Sequence, residues 1–173
     1  MTMGSNGYLV LRVLHILVAA LWLGAAGLLA AIVMPAIRDA GAAGGAFLAS
    51  LHRRKLHAFM AASAVLTVLS GIWLYWMMTT GFDPDIVWSR SGLVFGIGGL
   101  CGLLAMTIGG SIIGPGFARL AVLAEQTGPL PEAERANHAQ RLSAIRQRMA
   151  WASKVALVLI VAAMLLMASG HYV

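Results

Sequence analysis

No acidic side chain lies inside any of the long apolar runs of this sequence, and only six acidic residues occur in all. That absence argues against a proton-coupled transporter, which needs carboxylates at membrane depth. Charge of either sign is scarce, since 10% of residues are charged against 60% hydrophobic, and the mean hydropathy is +0.86. A water-soluble domain of 173 residues could hardly carry such a composition on its surface, so the expected solvent is the lipid bilayer. The single cysteine, Cys101, excludes an internal disulfide and any cysteine-rich zinc or iron–sulfur centre, and its mid-run position reads as a small buried residue. There is no phosphate-binding glycine loop and no nucleophile motif. A net charge of +6 would suggest nucleic acid in a soluble protein. Here the basic residues sit between apolar runs and orient the chain in its membrane, so no nucleic-acid partner is expected.

What is present is four apolar runs, at about residues 8–37, 56–78, 91–114 and 151–171, each long enough to cross a hydrocarbon core of about 30 Å. Isolated spans of this kind satisfy their backbone groups only as helices. The expected fold is therefore all-α, a transmembrane four-helix bundle forming one integral membrane domain over 1–173. The first run, from Val13 to Ile37, exceeds a signal-peptide core of about 7–15 residues and reads as a retained helix. Breaks are expected at Gly41 to Gly45, at Gly81-Phe82-Asp83-Pro84-Asp85, and at Gly114-Pro115-Gly116. Between the third and fourth runs, Phe117, Leu120, Leu123 and Ala124 keep helical spacing up to Thr127-Gly128-Pro129. Pro131-Glu132 then opens a helix with Leu142, Ile145 and Met149 on one face. This predicts an interfacial elbow followed by a helix continuous with the last span. No repeat between the two halves is evident.

Lys and Arg divide unequally. Arg38, Arg53, Arg54, Lys55, Arg119, Arg135, Arg141, Arg146, Arg148 and Lys154 fall on one side, and only Arg12 and Arg90 on the other. The positive-inside rule then puts both termini on the extracytoplasmic face of a multi-pass protein. Trp73, Trp76 and Trp88, with Tyr8, Tyr75 and Tyr172, are expected at or near the outer interface, and Trp151 at the inner one.

Few side chains can carry chemistry. His15 stands about two turns inside the first span, where an ionisable group is a functional candidate because an unpaired polar group in hydrocarbon is costly. The competing reading is a neutral histidine bonded to a Ser or Tyr of a neighbouring helix. Trp22, seven residues on, shares its face. Met164, Met167 and His171 follow i, i+3, i+7 spacing near the end of the fourth span, which antiparallel packing would bring to the depth of His15. Met77 and Met78 close the second span on the same side. Thioether and imidazole suit copper, while two imidazoles, or one with a methionine, suit haem iron. Equally, the methionines could simply fill an apolar bundle. On the opposite side, Arg53, Arg54 and His57 belong to the run His52-Arg53-Arg54-Lys55-Leu56-His57. It reads either as a headgroup anchor or as a cationic seat for porphyrin propionates. The glycines of span 3, among them the pairs Gly92/Gly96, Gly98/Gly102 and Gly110/Gly114, permit close helix contact, as do Ala20/Gly24, and could also lie against a flat macrocycle.

The run His15 to Gly24, the Arg53-Arg54-Lys55-Leu56 start of span 2 with Ser70-Gly71-Ile72-Trp73-Leu74, and the Arg-rich entry into span 4 together resemble the CopD-like superfamily. That group joins copper-resistance protein D, HemJ-like protoporphyrinogen oxidases and related four-span bacterial families. The resemblance covers nearly the whole chain as a pattern of spans, through short apolar motifs. It implies a bacterial inner-membrane protein in which His15 ligates haem or copper. HemJ-like proteins carry a lysine early in the third span, where this chain has Arg90 and Ser91. The resulting expectation is a haem- or metal-binding protein of electron transfer or porphyrin redox chemistry, with haem b the first candidate and His15 and His171 or a methionine as ligands. If it is an enzyme, it is an oxidoreductase of the HemJ kind. The alternatives are copper transport or resistance through the outer Met/His group, and a cofactor-free accessory subunit. Self-association or a partner membrane subunit is compatible with each.

Overall fold

A computed structural model describes residues 5–125, 131–170 and 172. The described residues are almost entirely helical: α1 (Ser5–Leu28), α2 (Met34–Asp39), α3 (Gly41–Arg53), α4 (Leu56–Met78), α5 (Pro84–Val87), α6 (Arg90–Ile108), α7 (Gly114–Glu125) and α8 (Glu132–Ser169). Four helical stretches are long and apolar enough to cross a membrane: Asn6–Asp39, Leu56–Met78, Arg90–Leu123 and Glu134–Ser169, taken below as spans 1 to 4. Their outward faces carry the residues a soluble protein would bury, as Leu17, Leu69, Leu100 and Leu165 are each more than half exposed. Such a surface is stable against lipid and not against water. The protein is a multi-pass, all-α helical bundle.

Span 4 continues without interruption from Glu132, as the spacing of Leu142, Ile145 and Met149 predicts. The turn between spans 2 and 3 is also where the sequence places it. Thr79, fully buried, returns its hydroxyl to the Tyr75 carbonyl at 2.8 Å and accepts the Phe82 N–H at 3.1 Å, ending α4. Asp83 caps α5 through the Asp85 N–H and Ser89 caps α6 through the Gly92 N–H.

Two expected breaks are not breaks. Gly41, at φ +57°, turns the chain, but residues from Gly41 to Arg53 then form a helix rather than a loop. α3 packs along α7, and Gly44 lies so close to the Ile37 carbonyl that no Cβ fits between them. The third span likewise runs past Gly114-Pro115-Gly116 into α7. The physical reason is the same in spans 1 and 3. Leu29–Val33 and Gly109–Ile113 form single π-helical turns, in which the Met34 N–H reaches Leu29 O and the Gly114 N–H reaches Gly109 O. The wider turn ends just before a proline, Pro35 or Pro115, which then sits in the first turn of the next helix where its missing N–H costs little. Thus a common local device, Ile32-Val33-Met34-Pro35 and Ile112-Ile113-Gly114-Pro115, recurs between halves that otherwise show no repeat.

Two cores hold the bundle. In the first, Trp22 of span 1 meets Ala64 of span 2, Ala105 of span 3 and Ala156 and Ile160 of span 4. One indole against three alanines lets four helices close on one point. The second joins Ile37, Leu48, Phe117, Leu120 and Met149 toward the Arg- and Lys-rich end of the bundle, with Leu142 and Ile145 against it.

Candidate functional site at His15

His15 is buried and faces span 2. Its Nδ1 lies 2.9 Å from Ser70 Oγ. Ser70 Oγ lies 2.6 Å from the Leu66 carbonyl, which can only accept, so the hydroxyl proton is committed there. Ser70 therefore accepts from His15, which assigns the Nδ1–H tautomer and leaves the lone pair on Nε2. Gly71 makes room for the ring. A Cβ at that position would stand 2.9 Å from His15 Cε1 and 3.7 Å from Nε2, so any side chain there would push the imidazole aside.

Ser70 ends a polar line on span 2. Ser63, Thr67 and Ser70 follow i, i+4, i+7 and face span 1, with Ser63 Oγ bonded to Phe59 O at 2.9 Å and Thr67 Oγ1 to Ser63 O at 2.8 Å. Each hydroxyl is satisfied by its own helix, which is how Ser and Thr remain affordable in hydrocarbon. This line was not singled out from the sequence. Its helical spacing in an otherwise apolar run is the signal that would have found it.

The remaining candidates do not gather around His15. Trp22 is central packing, as described. Met167 packs its Cγ 3.3 Å from where a Cβ of Gly98 would stand, so its side chain is turned to span 3. Met164 is 37% exposed on the bundle's outer surface. Met77 and Met78 are half-buried, one to two turns beyond Gly71 on span 2. His171 lies outside the described residues. Arg53, Arg54 and His57 are exposed at the other end of span 2, about 20 Å from Ser70 at a rise of about 1.5 Å per residue. There the His52 and His57 rings stack at 5.0 Å, and His52 Nδ1 is buried with no hydrogen-bond partner. Among the described residues, no three His, Cys, Asp or Glu side chains converge as a metal centre.

The glycines of span 3 divide by role. Gly98 lets span 4 approach, with the Ala163 carbonyl and Leu166 Cβ each 3.4 Å from its absent Cβ, and Gly96 lies under the Tyr75 hydroxyl, which donates to Gly92 O at 3.1 Å. Gly99, Gly102, Gly109 and Gly110 face open space. Of the paired glycines, Gly92 and Gly98 serve close contact, while Gly102 and Gly110 meet no neighbouring side chain.

No family model, curated protein or solved structure matches this chain.

Proposed function

We propose that this is a haem-binding membrane protein in which His15 would hold the iron through Nε2, serving electron transfer or porphyrin redox chemistry. The observation that carries the reading is the Ser70 bond, which holds a neutral imidazole in one tautomer and one orientation. Ligating histidines are held in this way, by a hydrogen bond from the nitrogen that does not bind the metal. Haem so held would supply one-electron redox chemistry, while the chain's own part is to orient the ring and keep it dry. The absence of carboxylates in the apolar runs and the Arg90-Ser91 start of span 3 favour a carrier over an oxidase of the HemJ kind. Copper through Met164 and Met167 draws less support, because Met167 is engaged with span 3.

The setting we propose is a bacterial inner membrane with both termini extracytoplasmic, supported by the ten-to-two division of Lys and Arg. A reporter fused after Val173 should then behave as exported, and cytoplasmic activity there would reverse the orientation. The cofactor reading is tested by the absorption spectrum of protein purified from haem-replete cells. A Soret band in stoichiometric amount is expected. Copper without porphyrin would replace the reading with a soft-metal site, and a preparation free of both would leave His15–Ser70 as an interhelical hydrogen bond in an accessory subunit.

A further inference from the structure

At the Arg- and Lys-rich end of the bundle, α7 and α8 touch and then part. They are in contact at Gly116, where a Cβ would stand 2.7 Å from the Met149 side chain. Beyond that contact a cleft of about 600 Å³ opens between them. From α7 it is lined by Arg119, Val122 and Leu123, and from α8 by Arg141, Ala144 and Ile145. A second space of about 350 Å³ adjoins it, sharing Arg119, Ala144 and Ile145 and adding Arg148. Arg141, Ile145 and Arg148 follow i, i+4, i+7, so they form one stripe on α8 that faces the stripe on α7.

Among the described residues no carboxylate pairs with Arg119, Arg141 or Arg148, and no acidic residue lines either space. Arg119 and Arg141 border an almost wholly apolar cleft, and Arg119 and Arg148 border the more polar space beside it, which describes an occupant with hydrocarbon in the first and an anionic group at the second. The size lies within the range of about 300–1,000 Å³ common for clefts that hold a ligand. Guanidinium forks match phosphate oxygens better than they match any neutral headgroup. The cleft also lies where α8 passes from its polar, arginine-rich first part into its apolar part.

We propose that the α7–α8 cleft is a binding site for one anionic phospholipid, its phosphate held by Arg119, Arg141 and Arg148 and an acyl chain laid over Val122, Ala144 and Ile145. The site is separate from His15 and independent of any cofactor there. A bound lipid would fill the wedge left where α7 turns from α8 toward α3, and so hold the elbow against span 4.

Native mass spectrometry of the full chain in detergent, supplied with phosphatidylglycerol or phosphatidylcholine of identical acyl chains, tests this. The wild type should retain phosphatidylglycerol roughly tenfold better than phosphatidylcholine. Arg119→Gln with Arg141→Gln should erase that preference, and Ala144→Trp should lower retention of the lipid with every charge in place. Arg54→Gln with Arg146→Gln removes the same charge outside the cleft and should leave the preference intact. Equal loss in this control pair would reduce the effect to diffuse surface charge and overturn the site. So would indifference of the wild type to headgroup, no effect of Ala144→Trp, or displacement of the lipid by millimolar inorganic phosphate alone.

Discussion

Replacing His15 by alanine is expected to strip the purified protein of its haem, by tenfold or more, while leaving its insertion and helix content unchanged. The asymmetry follows from two magnitudes. An interhelical hydrogen bond in a membrane contributes about 0.6 kcal/mol on average, so losing the bond to Ser70 disturbs the bundle little. An iron ligand, by contrast, sets the metal's coordination and electronic state, and the other described histidines, His52, His57 and His138, belong to the Arg- and Lys-rich end of the bundle. Ser70→Ala should give an intermediate result, weakening cofactor retention about 10- to 100-fold, as loss of a ligand's supporting hydrogen bond typically does. Free imidazole should restore part of the spectrum to His15→Ala and add nothing to the wild type. Wild-type haem content in His15→Ala would end the ligand assignment. A loss of insertion instead would mark His15 as a folding residue.

The largest stability effect is expected at Trp22. Trp22→Ala should destabilise the bundle by about 3 kcal/mol, measured by denaturant-driven unfolding in mixed micelles, the low end of the range for removing a buried tryptophan. The low end applies because lipid is as apolar as the core, so the transfer term that dominates in water nearly cancels and the lost contacts and cavity remain. Those contacts join all four spans, and the alanines Ala64, Ala105 and Ala156 cannot reach across the gap. Trp22→Phe should recover more than half of the loss. A change below about 1 kcal/mol for Trp22→Ala would mean that neighbouring spans collapse into the vacancy, and that the indole is not what holds them.

The two residues illustrate what an apolar sequence discloses. That His15 is buried was legible, because hydrocarbon leaves a polar ring few options, and a serine on a neighbouring helix was among the partners foreseen. The number of spans, the turn at Gly81 and the long last helix were legible for similar reasons, since length and punctuation are set along the chain. Which flank of one span meets which neighbour was not. In water the apolar face of a helix names its own core, but in lipid both the core side and the outer side are apolar, and the pattern loses its pointer. The stripe Met164, Met167, His171 follows helical spacing in the sequence. Rotation of span 4 nonetheless sends Met167 to Gly98 and leaves Met164 on the outside. The helix from Gly41 to Arg53 escaped for another reason: three glycines in a short stretch read as a break, and only packing on α7 outweighs their poor propensity.

Each π turn encloses one more residue than an α turn, and one residue corresponds to about 100° of rotation about the helix axis. Spans 1 and 3 are therefore each two helices spliced out of phase. The first part of span 1 aims His15 and Trp22 at one set of neighbours. After the splice, Ile37 is aimed at another, and Phe117 of span 3 arrives beside it by the same shift. Shortening either π turn by one residue would restore a regular helix and swing Ile37 or Phe117 through about a quarter turn, out of the cluster with Leu48 and Met149. A single surplus residue in each span thus lets one helix serve two differently oriented cores.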